Sequence, residues 1–236
     1  MNNITRKVFL LLLVGLFAMW TTSAQPFGAD GVTWVNSSRY NTSGTPQQLG
    51  AQAGNVTQVT INGTAVTTSW QGFYGNITGN IILADAQGNN FYDWNISSPS
   101  GEVYASRSST VTWATINCST TANITTEEAA LGQAATDPDS VTNTFAATNH
   151  PSFLVGSRNM TGCKTTKAYA TGGVQGTGYW QILLNDNANT VYTTVLDETP
   201  ESGFNDLVWD FQLLVGENGK PGNEAATQYY FYVELQ

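Results

Sequence analysis

The sequence predicts a secreted all-β protein, built as an antiparallel β-sandwich or jelly-roll-like domain. Apolar and polar residues alternate along most of the chain, as in strands that bury one face. Gly, Asn and Asp cluster between these stretches, where tight turns need them. The chain also holds seven Trp, ten Tyr and ten Phe among its 236 residues. Their apolar area is sufficient for a full core.

Residues 1–24 have the composition of a secretory signal peptide. Arg6 and Lys7 form its charged start, an apolar stretch follows, and Thr22-Ser23-Ala24 supplies the small residues of a cleavage site. The apolar stretch is shorter than the roughly 20 residues that span a bilayer. We therefore expect a mature chain of residues 25–236 that is extracellular at the cell surface, without membrane insertion after cleavage.

The mature chain is predicted to be a single domain that begins with an arm, residues 25–36. Alternation then predicts strands along the rest of the chain, and Asn62-Gly63 suits the type I′ turn of a hairpin. The predicted strands are 56–61, 64–70, 77–83, 91–96, 102–106, 109–116, 178–184, 190–196, 207–215 and 229–235.

One short helix is expected between the two cysteines. Thr125 or Thr126 would be its N-cap, residues 127–128, both Glu, would lie in its first turn, and the alanine-rich residues 129–135 would complete it. The rest of residues 136–165 is predicted to be irregular.

Cys118 and Cys163 are the only cysteines of the chain. In an oxidising compartment, an even pair predicts one disulfide. Closing a loop of this length would stabilise the fold by roughly 4 kcal/mol through chain entropy. A redox or metal site would need a close Cys-X-X-Cys motif or further ligands, which the sequence lacks.

Nine Asn-X-Ser/Thr tripeptides predict an N-glycosylated surface. They begin at Asn36, Asn41, Asn55, Asn62, Asn76, Asn95, Asn117, Asn123 and Asn159. Six further Asn follow residue 159, and none of them begins such a tripeptide. Because a glycan is not tolerated on a packed face, we expect the segment from Thr165 onward to form the buried sheet or a subunit contact.

Charge and histidine content exclude several classes of function. The formal net charge is −9 at pH 7, which disfavours nucleic acid and anionic membranes as partners. His150 is the sole histidine. One histidine cannot build a zinc cluster, and a Ser-His-Asp triad without a nucleophile elbow is not supported. His150, next to Pro151, is interpreted as a loop residue.

Paired carboxylates are the only catalytic chemistry that remains, and the protein is not expected to be an enzyme. Glycan hydrolases use two acids on one face of a sheet. Glu102, Asp210 and Glu234 lie on predicted strands, and Asp210 and Glu234 could share a surface. The simpler interpretation is that these acids are solvated on outer strand faces.

No cofactor is predicted. Two oxygen-rich turns could in principle hold calcium, which takes six to eight oxygen ligands. These turns contain Asn185, Asp186, Asn187 and Asn189, and Asp137 and Asp139. The closing Glu of a calcium loop is missing, so ordinary hairpin turns are the preferred interpretation.

A contact with a sugar or with a partner protein is predicted at Trp70, Phe73 and Tyr74, which lie beside glycines and polar residues. Rings in such a setting could stack on a sugar or a partner. Packing in the core explains aromatic residues of a sandwich equally well, so both alternatives stay open.

Four segments carry a resemblance to a known group of proteins. They are Trp70-Gln-Gly-Phe-Tyr-Gly-Asn76, residues 99–106, residues 210–215 and the aromatic C-terminal residues 229–235. Together they resemble uncharacterised secreted, predicted-β cell-envelope proteins found mainly in archaea. The resemblance implies an archaeal-type envelope and a β architecture, and it carries no activity over.

We expect an extracellular structural or adhesive glycoprotein, such as a self-assembling filament or surface-layer subunit. Its partners would be copies of itself or cell-surface glycans. The arm could pair with an open sheet edge of a neighbour. A carbohydrate-binding module is the first alternative, and a glycan-active hydrolase is the second.

Overall fold

The computed structural model describes residues 25–40, 44–96, 98–196, 201–218 and 226–236. The predicted all-β fold is confirmed, with antiparallel pairing throughout. The strands are β1 (Phe27–Gly28), β2 (Trp70–Gly75), β3 (Asn80–Ala84), β4 (Asn90–Asn95), β5 (Gly101–Ser106), β6 (Asn117–Cys118), β7 (Phe153–Val155), β8 (Arg158–Met160), β9 (Thr165–Tyr169), β10 (Gln175–Asn185), β11 (Thr190–Val195), β12 (Phe211–Gly216) and β13 (Tyr230–Leu235). The helices are α1 (Thr121–Leu131) and α2 (Val141–Thr144), with 3₁₀ turns at Trp113–Thr115 and Thr171–Gly173. The predicted signal peptide and Asn41 lie outside the described residues.

A seven-stranded sheet forms the centre of the fold, in the order β1-β13-β5-β11-β10-β6, with β9 also paired to β10. Every residue of β5 is buried. A strand is buried on both sides only when both faces of its sheet are covered. Strands from the acceptor-free segment after Thr165 supply much of this buried sheet, as expected.

The first face of the sheet is covered by the two-stranded ribbon β2–β12 and by the two helices. Gln181 on β10 links the two layers, because its side-chain amide donates to the carbonyl of Gln212 (2.5 Å) and accepts from the backbone N–H of Leu214 (2.8 Å). The buried residues of this core are Val103, Ala105, Ile124, Leu131, Val141, Phe145, Leu183, Tyr192, Leu196, Leu213 and Val215. The result is a sandwich with one narrow layer.

The second face is covered by the hairpin β7–β8 and by residues 109–118. Trp113 packs its ring on Tyr104 (5.0 Å between centroids) and on Tyr232 (5.3 Å). Residues 109–116 cross the sheet face without pairing, and β6 then pairs with β10 at the sheet edge. The strand predicted over 109–116 is therefore wrong, since its apolar residues serve as a cover and not as one face of a strand.

The predicted helix is present, but α1 both begins and ends earlier in the chain than predicted. Thr120 is the N-cap of α1, and it forms a capping box with Asn123, whose side chain accepts from the backbone N–H of Thr120. Asn takes the place that Glu or Gln usually occupies in this motif. Gly132 then ends α1 in the left-handed region at φ 67°. Residues 136–165 are not merely irregular, because they contain α2, β7 and β8.

The hairpin predicted over residues 56–70 is also wrong, since only Trp70 belongs to a strand. Residues 56–61 belong to no helix or strand and are exposed. Alternation favours a strand only where a neighbouring layer buries its apolar face. By contrast, the hairpin predicted over 77–96 is confirmed as β3–β4, with a first strand that is shorter than expected and a second strand of the expected length.

Candidate functional site

The amino-terminal segment, residues 31–67, has no helix or strand wherever the structure describes it. It nevertheless carries eight large apolar side chains that are more than half exposed. These are Val32, Trp34, Val35, Tyr40, Leu49, Val56, Val59 and Ile61. Soluble proteins rarely leave so much apolar surface open in one place unless it contacts something else. This segment is therefore the first candidate site.

The hairpin β3–β4 presents a second uncovered apolar surface. Ile81 lies opposite Trp94 and Leu83 opposite Tyr92, so these four side chains share one face. Each of them is about half exposed, from 47% to 58%. Isolated two-stranded ribbons are marginally stable in water. A covering partner would therefore stabilise this hairpin.

The edges of the sheets show where another strand could pair. In the amino-terminal arm, β1 pairs with β13 of the same chain, and the N–H of Ala29 donates to the carbonyl of Phe231 (3.1 Å). Because β1 has only two residues, it covers only part of the outer edge of β13. Within the described residues, β2 pairs with β12 alone, and its other edge is open.

The acceptor asparagines lie mostly at the surface. Seven of the eight described ones are exposed, and Asn123 is half-buried in the first turn of α1. The capping contacts of Asn123 use Oδ1, whereas a glycan is attached at the amide nitrogen. Asn117 differs, because its amide nitrogen donates to the carbonyl of Thr115 (3.3 Å). Glycosylation of these residues stays a prediction.

The three predicted aromatic contact residues have different surroundings. Trp70 packs against the first-face core, and its Nε1 donates to the carbonyl of Asp139 (2.6 Å). Phe73 packs edge-on against Phe231 (5.2 Å between centroids). Only Tyr74 is exposed. It lies in a surface cluster with Phe204 and Trp209, at 5.0 Å from each ring.

The disulfide between Cys118 and Cys163 is confirmed, with 4.8 Å between the Cα atoms. It joins β6 at one edge of the central sheet to the loop after β8. His150 supports this loop, since its Nε2 accepts from the backbone N–H of Cys163 (2.9 Å). Its Nδ1 lies 2.7 Å from the carbonyl of Pro151, to which it donates. His150 is therefore a buried structural residue within a loop.

The three candidate carboxylates are not brought together as a set. Glu102 on β5 lies directly opposite Glu234 on β13, and both side chains point to the second face. Asp210 lies before β12, where it accepts from the backbone N–H of Ile77 (2.7 Å). Glu102 and Glu234 are only 2% and 3% exposed. The interpretation of solvated outer acids is therefore wrong for this pair.

The carboxyl pair has few partners for two acids. The hydroxyl of Tyr104 donates to Glu234 (3.1 Å) and lies 3.5 Å from Glu102. The backbone N–H of Gly156 donates to both oxygens of Glu234 (3.0 and 3.1 Å), and the amide of Gln236 donates to Glu102 (3.3 Å). Burial, and then the charge of Glu234, raise the pKa of Glu102 to about 8.

The pKa of Glu234 is also raised, mainly by burial, while its hydrogen bonds from Gly156 and Tyr104 oppose the shift. Burial raises the pKa of the Tyr104 hydroxyl far above its usual range, so it stays a donor. Glu234 has the shorter hydrogen bonds of the two, at 3.0–3.1 Å compared with 3.3–3.5 Å for Glu102. Of the two carboxyl groups, Glu102 is therefore the one that favours the proton, because burial and the neighbouring charge of Glu234 both act against its ionised form.

The oxygen-rich turns use their side chains to close the backbone. Asp186 accepts from the N–H groups of Asn189 (2.7 Å) and of Thr112 (2.9 Å). Asp139 accepts from the hydroxyl of Thr67 (2.6 Å). Within the described ranges, no group of three or more His, Cys, Asp or Glu could hold a metal ion. The carboxylate oxygens of these turns accept hydrogen bonds that hold the turns and neighbouring loops in place.

Sequence reasoning missed Tyr104 and Gly156, which surround the carboxyl pair. Gly156 lies in the turn of a hairpin that was not predicted. A signal for Tyr104 existed, because each Glu has a Tyr two residues away on the same strand face, Tyr104 for Glu102 and Tyr232 for Glu234. An acid flanked by aromatic side chains on its own face is a sign of burial.

Comparisons with known proteins add no further assignment. No family model matches the chain, and no curated protein or solved structure is significantly similar to it. Among the described helices, none is long and apolar enough to cross a membrane.

Proposed function

We propose that this protein is an extracellular structural or adhesive glycoprotein of the cell surface that assembles with copies of itself. One observation carries the proposal: a long segment without described strand pairing, rich in exposed apolar residues, precedes a domain that has buried cores of its own. Fully burying one large apolar side chain stabilises a complex by about 1.5–3 kcal/mol. Covering this segment with a partner is therefore strongly favourable.

Strand addition is the contact that the segment suits best. Val32 and Trp34 alternate with Thr33, and Val59 and Ile61 alternate with Thr60, so each stretch would present one apolar face as a strand. The open edge of β2 offers backbone groups to such a strand. Donor and acceptor lie at different places on one chain, and such head-to-tail contacts build filaments when they do not close.

The cell-surface location rests on chemistry and on a resemblance. The Cys118–Cys163 disulfide is typical of an oxidising compartment. Secretion follows from the predicted signal peptide, and an archaeal-type envelope from the resemblance described above. The acceptors Asn55 and Asn62 flank residues 56–61, so glycans there would border an apolar stretch without covering it.

The test is assembly of the mature chain, purified natively and followed by size-exclusion chromatography and electron microscopy. We expect filaments or large oligomers, and we expect Val59→Asp combined with Ile61→Asp to dissolve them. Gln58→Asp combined with Thr60→Asp is the matched control, because it adds the same charge on the opposite strand face. A monomeric wild-type chain, or a control that is as defective as the test variant, overturns the proposal.

Carbohydrate binding is a second candidate, favoured by the exposed rings of Tyr74 and Phe204, which are 46% and 50% exposed. Stacking of a sugar on such rings would be lost in Tyr74→Ala or Phe204→Ala. A glycan array that shows no binding by the wild-type chain rejects this function. Hydrolysis gains no support, because Glu102 and Glu234 lie beneath the β7–β8 hairpin, out of reach of a polymer.

A further inference from the structure

Two strands and a hairpin meet at the carboxyl pair. Glu102 belongs to β5 in the middle of the sheet, and Glu234 belongs to β13, the last strand of the chain. The turn of β7–β8 is attached to the same group, because Gly156 donates its N–H to Glu234. The charge state of this pair therefore bears on three elements at once.

We propose that Glu102 and Glu234 form a pH-sensitive latch, in which a single proton on this buried carboxyl pair keeps β13 and the β7–β8 hairpin on the central sheet. With one proton, the pair has one charge, and the donors from Gly156 and Tyr104 match it. Without that proton, two negative charges lie side by side in a buried site, and opening the strands to water relieves their repulsion.

Among the residues that the structure describes, no other charged group is seen to compensate the second charge. Within the described residues, the one salt bridge joins Arg107 to Glu127 and involves neither carboxyl. Arg158, the cation of the β7–β8 hairpin, donates to the carbonyl of Ile116 (2.9 Å) and to the side chain of Asn117 (3.2 Å) instead.

The other neighbours are neutral. β5 contributes Tyr104, and β13 contributes Tyr232, whose hydroxyl donates to the carbonyl of Ser108 (2.8 Å). β11 places Val195 opposite Glu102, and Trp113 covers Tyr104 from the crossing segment. A second negative charge would therefore stay uncompensated.

Opening of this latch would also affect the amino-terminal arm. β1 is held by β13, so both leave the sheet edge together, and the outer edge of β5 becomes available. The latch does not depend on self-assembly and goes beyond the proposed function. Where assembly occurs, alkaline pH would change the sheet edge that a neighbour meets.

Hydrogen exchange of the mature chain at several pH values tests the latch. Dividing each measured rate by the intrinsic rate at the same pH removes the ordinary base catalysis of exchange. Between pH 6 and 8 we expect the protection of β13 and β7–β8 to fall by about tenfold per pH unit, while β10, separated from β13 by β5 and β11, stays the better protected strand at every pH. Glu102→Gln should remove this dependence, and Glu217→Gln, which lies outside the pair, should keep it.

Infrared difference spectra provide a readout that needs no variant. A carboxylic-acid carbonyl band that disappears between pH 6 and pH 9 is expected in the wild-type chain. Three results would overturn the latch. They are equal protection of β13 at pH 6 and pH 8, absence of this infrared band, and an unchanged pH dependence of exchange in Glu102→Gln. If Glu102→Gln fails to fold, the wild-type exchange profile and the spectrum decide the question alone.

Discussion

Nε2 of His150 accepts a hydrogen bond from the backbone N–H of Cys163 at 2.9 Å, and so the sole histidine of the chain supports one end of its disulfide. Both ring nitrogens are used, since Nδ1 donates to Pro151. The ring also packs edge-on against Phe153, at 5.6 Å between centroids. A residue whose chemistry often signals catalysis serves here to position a loop.

His150→Ala should therefore destabilise the protein. The N–H of Cys163, a buried residue, would lose its acceptor, at a cost of about 1–3 kcal/mol. Urea denaturation followed by tryptophan fluorescence measures the free energy of unfolding. Asn149→Ala, at the exposed neighbouring position, is the control and should change stability little. Equal stability of the two variants would contradict the role given to His150.

Removal of the disulfide should have a larger effect. Replacing Cys118 and Cys163 together by Ser opens a loop of 45 residues, and chain entropy predicts a loss of roughly 4 kcal/mol. The midpoint of denaturation should fall to the same value as in the reduced wild-type chain. An unchanged midpoint would mean that opening the loop adds no conformational entropy to the unfolded chain.

Stability should depend on pH through Glu102. Its pKa is raised from an ordinary value near 4.5 to about 8, so the folded state binds its proton more tightly than the unfolded chain does. This contribution is fully present below about pH 4.5 and is lost as pH rises toward 8, at about 1.4 kcal/mol per pH unit. Unfolding free energies of the wild type and Glu102→Gln, measured from pH 5 to pH 9, should diverge in slope. Parallel curves would exclude a raised pKa.

Trp70→Ala should unfold the first-face core and not simply remove a surface ring. Trp70 packs on Phe145 and Tyr192, and truncating a packed Trp costs about 3 kcal/mol or more. A loss of glycan binding in this variant would therefore not identify a sugar site. Tyr74→Ala is the informative comparison, since it should retain a melting temperature near that of the wild type. A Trp70→Ala protein with wild-type stability would refute its placement in the core.

Gly101→Ala should disrupt the pairing of β5 with β13. Gly101 has φ +119°, and an added Cβ would lie 2.0 Å from the carbonyl oxygen of Glu234. Overpacking against backbone, together with the strained dihedral, should cost about 3 kcal/mol or more. Gly72→Ala is the matched control, because a Cβ there meets nothing within 4 Å. Thermal melts of the two variants give the comparison, and a tolerant Gly101 would contradict the register at this end of β5.

Local patterns were sufficient for much of the fold. Strands such as β10, β11 and β13 were recognised because a period of two and a turn rich in Asn and Asp are properties of neighbouring residues. The disulfide was predicted from the pair of cysteines and the predicted signal peptide. The same reasoning failed for residues 56–61, which alternate in part and form no strand, because their apolar side chains stay exposed within the described part of the chain.

By itself, then, the sequence determined the class of the fold, the disulfide and the residues that alternate. Tertiary structure decided which acids meet, since Glu102 and Glu234 are 132 residues apart and become neighbours only through the register of β5 with β13. It also decided that both lie in the interior, because burial depends on the hairpin that packs above a strand and not on the strand itself. Pairing and covering are long-range properties, and for that reason the paired acids, unlike the turns, could not be recognised from adjacent residues.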